Sequence, residues 1–148
     1  MGRDKYLYLS SEDSVDYFGK NSPSNFFVKL PHSFKLPGFW ECALVQFQYA
    51  SAFFSETPKD FFICTDIISE SFMKDSKPPV LRRVYNSYSQ GATTDVVESE
   101  IINLFYLPVI KEYIDVIHVY IMDENKKPVV FSKGPSLVTL HLRNIRGF

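Results

Sequence analysis

Apolar and polar residues alternate in short segments along most of the chain, and Pro, Gly, Asn and Asp separate these segments. A period of two places successive side chains on opposite faces of a β-strand. Breaks at this spacing are typical of antiparallel sandwiches and barrels. The pattern predicts about eight strands, at residues 5–10, 26–30, 39–54, 60–68, 80–85, 104–109, 113–122 and 129–143.

The connections between the predicted strands contain residues that favour turns. Residues 11–25 form a polar loop, and Pro31 ends the second strand. Residues 123–126 are a predicted hairpin loop, because Asn and Asp tolerate the positive φ that such turns need. Residues 95–104 differ from the rest, since their pattern predicts a short helix capped by Thr94.

Two of the predicted strands carry apolar residues on both faces. In residues 39–54, an uninterrupted strand has Trp40, Cys42 and Leu44 on one face and Ala43, Val45, Phe47 and Tyr49 on the other. In residues 113–122, Ile117, Val119 and Ile121 oppose Ile114, Val116, His118 and Tyr120. A strand of a two-layer sandwich buries one face in its own core, so the second apolar face must be covered by a loop or another subunit. We therefore predict a subunit interface that contains Phe47, Tyr49, Val119 and Tyr120.

The size and composition fit one all-β domain. The chain has 148 residues, of which 45% are hydrophobic and 16% aromatic, and no internal repeat is visible. These values suit a single compact domain over residues 1–148 that is rich in strand-forming side chains. We predict a single jelly-roll, a β-sandwich of about eight antiparallel strands. An immunoglobulin-like sandwich fits less well, because Trp40 precedes both cysteines instead of lying between them.

Charge and hydropathy limit the partners. The formal net charge of −1 gives no reason to expect specific nucleic-acid binding, and we interpret the short cluster Arg82-Arg83 as a solvated edge. The longest apolar stretch, residues 104–110, is too short to span a bilayer, and the N-terminal residues lack the pattern of a secretory signal. Cys42 and Cys64 lie in apolar segments, so we expect reduced core residues in a soluble protein from a reducing compartment.

The sequence contains no recognisable catalytic motif. The three histidines, His32, His118 and His141, lack the spacing to each other or to carboxylates that a metal site on one element uses. No nucleophile elbow, phosphate-binding loop or dinucleotide-binding fingerprint is present. We expect a protein without cofactor or metal that is not an enzyme.

An ordered set of short motifs resembles a known family. The segments are NSPSNFFVKLP at 21–31, LPGFWECALV at 36–45, FICTDII at 62–68, VLRR at 80–83, YLPV at 106–109, IHVYI at 117–121, PVVF at 128–131 and VTLHLR at 138–143. In this order they are similar to the penton-type minor capsid proteins of Polinton (Maverick) elements and adintoviruses. The family often has Val-Gly-Asp between the central elements, where this chain has Phe72-Met73-Lys74-Asp75.

The resemblance implies a structural protein of a virion. Such a protein is a single jelly-roll that forms homopentamers at the five-fold vertices of an icosahedral capsid. Its partners are further copies of itself, a double jelly-roll major capsid protein and, as an additional expectation, a host receptor. The resemblance also implies synthesis in the host cytoplasm, with assembly there or in the nucleus.

Two other readings of a jelly-roll stay open at this point. A carbohydrate- or receptor-binding module without catalytic activity would stack sugar rings on aromatic side chains, which Tyr6, Tyr8, Tyr85 and Tyr88 could supply. A cupin-like enzyme would need clustered histidines and a carboxylate. Symmetry separates the first alternative from the capsid protein, because only the vertex position demands a five-fold ring.

Overall fold

The computed structural model describes residues 4–50, 58–68, 78–86, 96–131 and 135–145, apart from the side chains of Ala50 and Val96. These residues form nine strands and no helix. The strands are β1 (Lys5–Ser10), β2 (Asn25–Lys35), β3 (Phe39–Ala50), β4 (Asp60–Thr65), β5 (Val80–Tyr85), β6 (Val96–Glu100), β7 (Leu107–Pro108), β8 (Tyr113–Met122) and β9 (Leu137–Ile145).

The strands form two antiparallel sheets. Sheet A has the order β1-β9-β3-β6, with the two-residue strand β7 beside β3, and sheet B has the order β2-β8-β4-β5. Among the eight longer strands, the first pairs with the last, the second with the seventh, the third with the sixth and the fourth with the fifth. This pairing is that of one long antiparallel ribbon folded into two sheets, which is the jelly-roll architecture. The predicted fold class is confirmed.

The core lies between the two sheets and is centred on aromatic rings. Phe47 and Tyr49 of β3 pack edge-on against Phe61 of β4, with ring centroids 5.5 and 4.9 Å apart respectively. Phe131 covers this group from the loop after β8, with its ring centroid 5.6 Å from that of Tyr49. Aromatic pairs in this geometry stabilise a core beyond their buried area.

A β-bulge in β3 changes which side chains share a face. The pairing of β3 with β9 skips one residue between Leu44 and Gln46, so Val45 has no partner in β9. An extra residue on one strand shifts the alternation of side chains by one position. Cys42 and Leu44 before the bulge and Phe47 and Tyr49 after it therefore all enter the same core. The prediction that these two sets occupy opposite faces is wrong.

β2 continues past the proline that was expected to end it. Pro31 lies inside β2, and the pairing with β8 is irregular between Lys29 and Phe34. Because β2 is an edge strand, Pro31 can face away from β8 without removing a hydrogen bond from the sheet.

The predicted helix is wrong where the structure describes it. Residues 96–100 form strand β6, which pairs with β3 from Gln46 to Ala50, and Thr94 and Asp95 lie outside the described residues. Residues 123–126 do form a tight turn: Asp123 Oδ1 accepts hydrogen bonds from the backbone of Asn125 and Lys127. The positive φ of this turn, 63°, belongs to Lys126 and not to an Asn or Asp.

Candidate subunit interface

Three of the four predicted interface residues lie inside the subunit. Phe47 and Val119 are fully buried, and Tyr49 is 1% exposed. The Tyr49 hydroxyl donates to Asn86 Oδ1 over 2.6 Å, which satisfies its polar end within the core. These three side chains contribute to folding and have no surface left for a neighbouring subunit.

Tyr120 is the one predicted interface residue that faces outward. It lies on the outer face of sheet B, opposite Asn25 of β2 and Cys64 of β4, and is partly exposed. Burial raises the pKa of the Tyr120 hydroxyl, and the nearby Cys64 and Asp123 raise it further. The phenol is therefore neutral at physiological pH.

The chain itself covers part of the outer face of sheet B. The rings of Phe27 and His118 stack with centroids 4.0 Å apart, and Phe18, from the loop between β1 and β2, packs on Phe27 at 5.4 Å. His118 Nε2 lies 2.6 Å from Asn25 Oδ1. The second apolar face of β8 is thus covered in part by one of the subunit's own loops.

Asp66, which directly follows β4, holds β8 in place through the backbone of His118. Its Oδ1 accepts the backbone N–H of His118 over 3.0 Å, and its Oδ2 pairs with Lys111 Nζ over 2.8 Å. Desolvation lowers the pKa of the His118 imidazole and Lys111 lowers it further, while Asp66 acts in the opposite direction.

The outer face of sheet A holds a cluster of aromatic and charged side chains. The Tyr6 ring stacks on the buried His141 imidazole at 4.6 Å, and the Tyr106 hydroxyl lies 2.6 Å from His141 Nδ1. Asp4 Oδ2 lies 3.2 Å from His141 Nε2. Tyr8, the next outward residue of β1, is 72% exposed beside Tyr6.

Arg143, on the interior strand β9, also belongs to this cluster. It forms an ion pair with Glu41 on the neighbouring strand, and its guanidinium lies 3.6 Å from the centre of the Tyr106 ring. The register of β3 and β9 places Glu41 directly opposite Arg143, so the ion pair joins two neighbouring strands.

The structure exposes large apolar side chains on the two lateral sides of the sandwich. β1 and β2 are the edges of the two sheets on one side, and β6 and β5 are the edges on the other. Exposed apolar residues on the first side include Val15 and Tyr17, and those on the second include Ile102 and Phe105. Both lateral sides therefore offer apolar surface to a neighbour.

The first side is built by the acidic loop, which we define as residues 11–18. The backbone of Tyr17 and Phe18 donates to the Ser14 carbonyl, and Asp13 Oδ2 accepts from Ser10 N, so consecutive turns fix the loop. Ser14 Oγ accepts the free backbone N–H of Lys29 over 2.9 Å and holds the loop on the edge of β2.

Asn21 protects the same edge of β2. Its amide oxygen accepts Phe27 N over 2.9 Å, and its amide nitrogen donates to the Phe27 carbonyl over 2.8 Å. One side chain therefore makes both hydrogen bonds that a further strand would make, which blocks uncontrolled pairing at this edge.

The second side carries the arginine groove, a surface cleft of about 520 Å³. Its lining includes Val80, Arg82, Arg83, Asn103, Phe105 and Leu107. Arg82 Nη1 donates to the Asn103 carbonyl over 2.7 Å, which ties β5 to the segment before β7. Arg83 lies 3.5 Å from Asp60 and is 67% exposed. A neighbouring cleft shares both arginines and adds Glu98 and Glu100.

The sequence predicted a solvated edge at Arg82 and Arg83 and a polar loop at residues 11–25, and the structure places both arginines on the edge strand β5 and shows turns up to the start of β2. The sequence did not predict which side chains each of these surfaces brings together. The signal that could have found the loop is the pair Val15 and Tyr17, two apolar residues in an acidic stretch with no strand periodicity.

The structure separates the histidines. His32 lies on β2, His118 on β8 in the same sheet, and His141 on β9 in the other sheet. Within the described ranges, no three His, Cys, Asp or Glu side chains come together in a group that could hold a metal ion. The part of the chain that the structure describes also contains no apolar helix of membrane-spanning length.

Comparison with known proteins assigns no family. The sequence matches no protein-family model, and it matches no curated protein.

Proposed function

We propose that the chain is a non-catalytic capsid subunit that forms homopentamers at the five-fold vertices of an icosahedral virion. The observation that carries the proposal is the strand order, in which eight strands pair first to last in a complete jelly-roll. Viral capsid proteins are a major group built on this architecture, together with lectin domains and cupins. The motif resemblance between residues 21 and 143 favours the capsid protein among these groups.

The placement of the exposed apolar residues supports a ring. A ring contact is heterologous, so each subunit needs two different patches that face its two neighbours. Tyr17 is 71% exposed on one lateral side, and Phe105 is 67% exposed on the other. Closure of the ring would cover both patches in every copy.

The remaining partners follow from the same proposal. A vertex ring sits among double jelly-roll major capsid proteins, so its rim has to contact them, and a host receptor would contact its outer end. The protein would reside in the virion after synthesis in the host cytoplasm.

Symmetry tests the proposal. The purified full chain should elute on a size-exclusion column with a light-scattering mass five times the subunit mass of 17.1 kDa. Negative-stain electron micrographs should show rings with five-fold symmetry. A stable monomer across micromolar concentrations, or a ring with three-fold or six-fold symmetry, would overturn the proposal.

A second candidate is the carbohydrate-binding module, which one observation favours. Tyr6 and Tyr8 are exposed on the same face of sheet A with ring centroids 6.5 Å apart, and sugar rings stack on such faces. Tyr85 is on β5 in the other sheet, and Tyr88 lies outside the described residues. Glycan binding that is lost in Tyr8→Ala, by a chain that remains monomeric, would favour this candidate.

A further inference from the structure

We infer that the acidic loop of one copy docks in the arginine groove of the next copy, so that the two surfaces form the repeated contact of the ring. This inference rests on the proposed function, because it names the residues by which the pentamer would assemble. It is supported by the chemistry of the two surfaces and by their positions in the fold.

The acidic loop combines negative charge with exposed apolar side chains. Glu12, Asp13 and Asp16 are exposed, and no basic residue lies between residues 11 and 18. Val15 is 46% exposed and Tyr17 is 71% exposed. The turns described above hold the loop in one conformation, so little conformational entropy is lost when it docks.

The arginine groove has the complementary chemistry. Arg82 and Arg83 supply two positive charges, and Phe105 supplies an exposed aromatic ring. The residues that line this groove include no acidic one. Asp60 lies 3.5 Å from Arg83, and Glu98 and Glu100 line the neighbouring cleft, so the two arginines are the only charged side chains that face the groove itself among its lining residues. An acidic segment with an aromatic side chain therefore fits the groove in both charge and polarity.

The two surfaces cannot meet within one subunit. The acidic loop follows the β1 and β2 edges, and the groove lies at the β5 and β6 side, across the full width of both sheets. A matched pair on opposite sides of one molecule gives a head-to-tail contact, which closes into a ring when the rotation between neighbours is right. The occupant of the groove is thus a second copy of this chain.

Charge reversal tests the contact. The groove variant is Arg82→Glu/Arg83→Glu, and the loop variant is Glu12→Lys/Asp16→Lys, which keeps Asp13 because it holds Ser10. Each variant should weaken assembly on the order of 100-fold, because like charges then face each other across the contact. The matched control is Lys126→Glu/Lys127→Glu, two exposed residues of the turn after β8, which should assemble normally.

Combining the changes gives the decisive result. A chain with both the groove and the loop reversed should form pentamers again. In a mixture of the two separate variants, only unlike copies fit as neighbours. Five copies cannot alternate around a closed ring, so at least one contact of a mixed pentamer joins like charges. The mixture should therefore form closed pentamers less readily than the doubly reversed chain does.

The outcomes separate this inference from the proposed function. Pentamers that persist in the groove variant, in the loop variant and in Arg83→Glu alone would overturn the loop-in-groove contact and leave the vertex function standing. A monomeric wild-type chain would overturn both. Circular dichroism and melting curves identify a variant that fails to fold, and Arg83→Glu alone then serves as the groove variant because it keeps the Arg82 bond to Asn103. Failure of the doubly reversed chain to reassemble, with its fold intact, would also overturn the contact.

Discussion

Protonation of the His118 imidazole should lower the stability of the folded subunit. Its ring is sandwiched against Phe27 and contacts Asn25, on a sheet face that is partly shielded from water. Desolvation disfavours the charged imidazole, and this is the main reason why the pKa of His118 is lowered. The folded state therefore prefers the neutral ring more strongly than the unfolded chain does.

We predict that His118 makes folding stability depend on pH below neutrality. The unfolded chain binds the proton near the ordinary pKa of 6.5, whereas the folded protein binds it only at lower pH. The stability due to the neutral ring is complete above that value and decreases as the pH falls towards the lowered pKa. Urea unfolding of wild type and His118→Gln between pH 8 and pH 5 should show a smaller loss in the variant. Equal losses in the two proteins would contradict the prediction.

The two cysteines should be unreactive in the folded protein. Cys42 and Cys64 are free and fully buried, and desolvation raises the pKa of each thiol to about 12. Because the thiolate is the reactive form, neither should react with a disulfide reagent at pH 8 within minutes. Both should react at once in concentrated guanidinium. Rapid release of even one equivalent from the native protein would show that a thiol is accessible.

At the scale of elements, the strands could be predicted from the sequence, but their faces could not. Alternation and turn residues are local, and they placed β1, β5 and β8 correctly. The bulge at Val45 is visible only in the pairing of β3 with β9, since a strand's own sequence does not reveal where its partner skips a residue. The two apolar faces predicted for β3 therefore belong largely to one core, and Phe47 and Tyr49 were assigned to the interface for this reason.

The predicted helix failed for a related reason. The polar and apolar spacing of residues 95–104 fits a short helix. The edge of β3 from Gln46 onwards is available for pairing, however, and the hydrogen bonds of β6 to β3 outweigh the local preference. Lateral surfaces such as the arginine groove bring together segments distant in sequence, Arg82 and Phe105 among them. No local pattern could have indicated that they are neighbours.

The variant Asn21→Ala tests whether Asn21 protects the edge of β2. Asn21→Ala removes two hydrogen bonds to the backbone of Phe27 and should lower the free energy of unfolding by about 1–3 kcal/mol. The exposed edge should also increase non-specific association, which light scattering detects. Ser22→Ala is a matched control, because its weak 3.4 Å hydrogen bond lies inside the turn. Equal stability of the two variants would contradict this role for Asn21.

At the scale of the whole molecule, the jelly-roll determines which part of β8 can meet a neighbour. Val119 points into the core between the sheets and is fully buried. Tyr120, the next residue, points out of sheet B and is partly exposed. A substitution at Val119 thus tests folding, and a substitution at Tyr120 tests assembly. The Cα atoms of these two adjacent residues are only about 4 Å apart.

We predict opposite effects for the same substitution at these two positions. Val119→Asp places a charge without a partner in the core and should cost several kcal/mol, which unfolds the subunit and abolishes its β circular dichroism. Tyr120→Asp should keep the β circular dichroism and lower the chemical denaturation midpoint of the subunit far less than Val119→Asp does, because Tyr120 is only partly buried. If the outer face of sheet B contributes to the ring, Tyr120→Asp should also shift the light-scattering mass from that of the pentamer to that of the monomer. A folded pentamer in Tyr120→Asp would exclude the outer face of sheet B around Tyr120 from the interface.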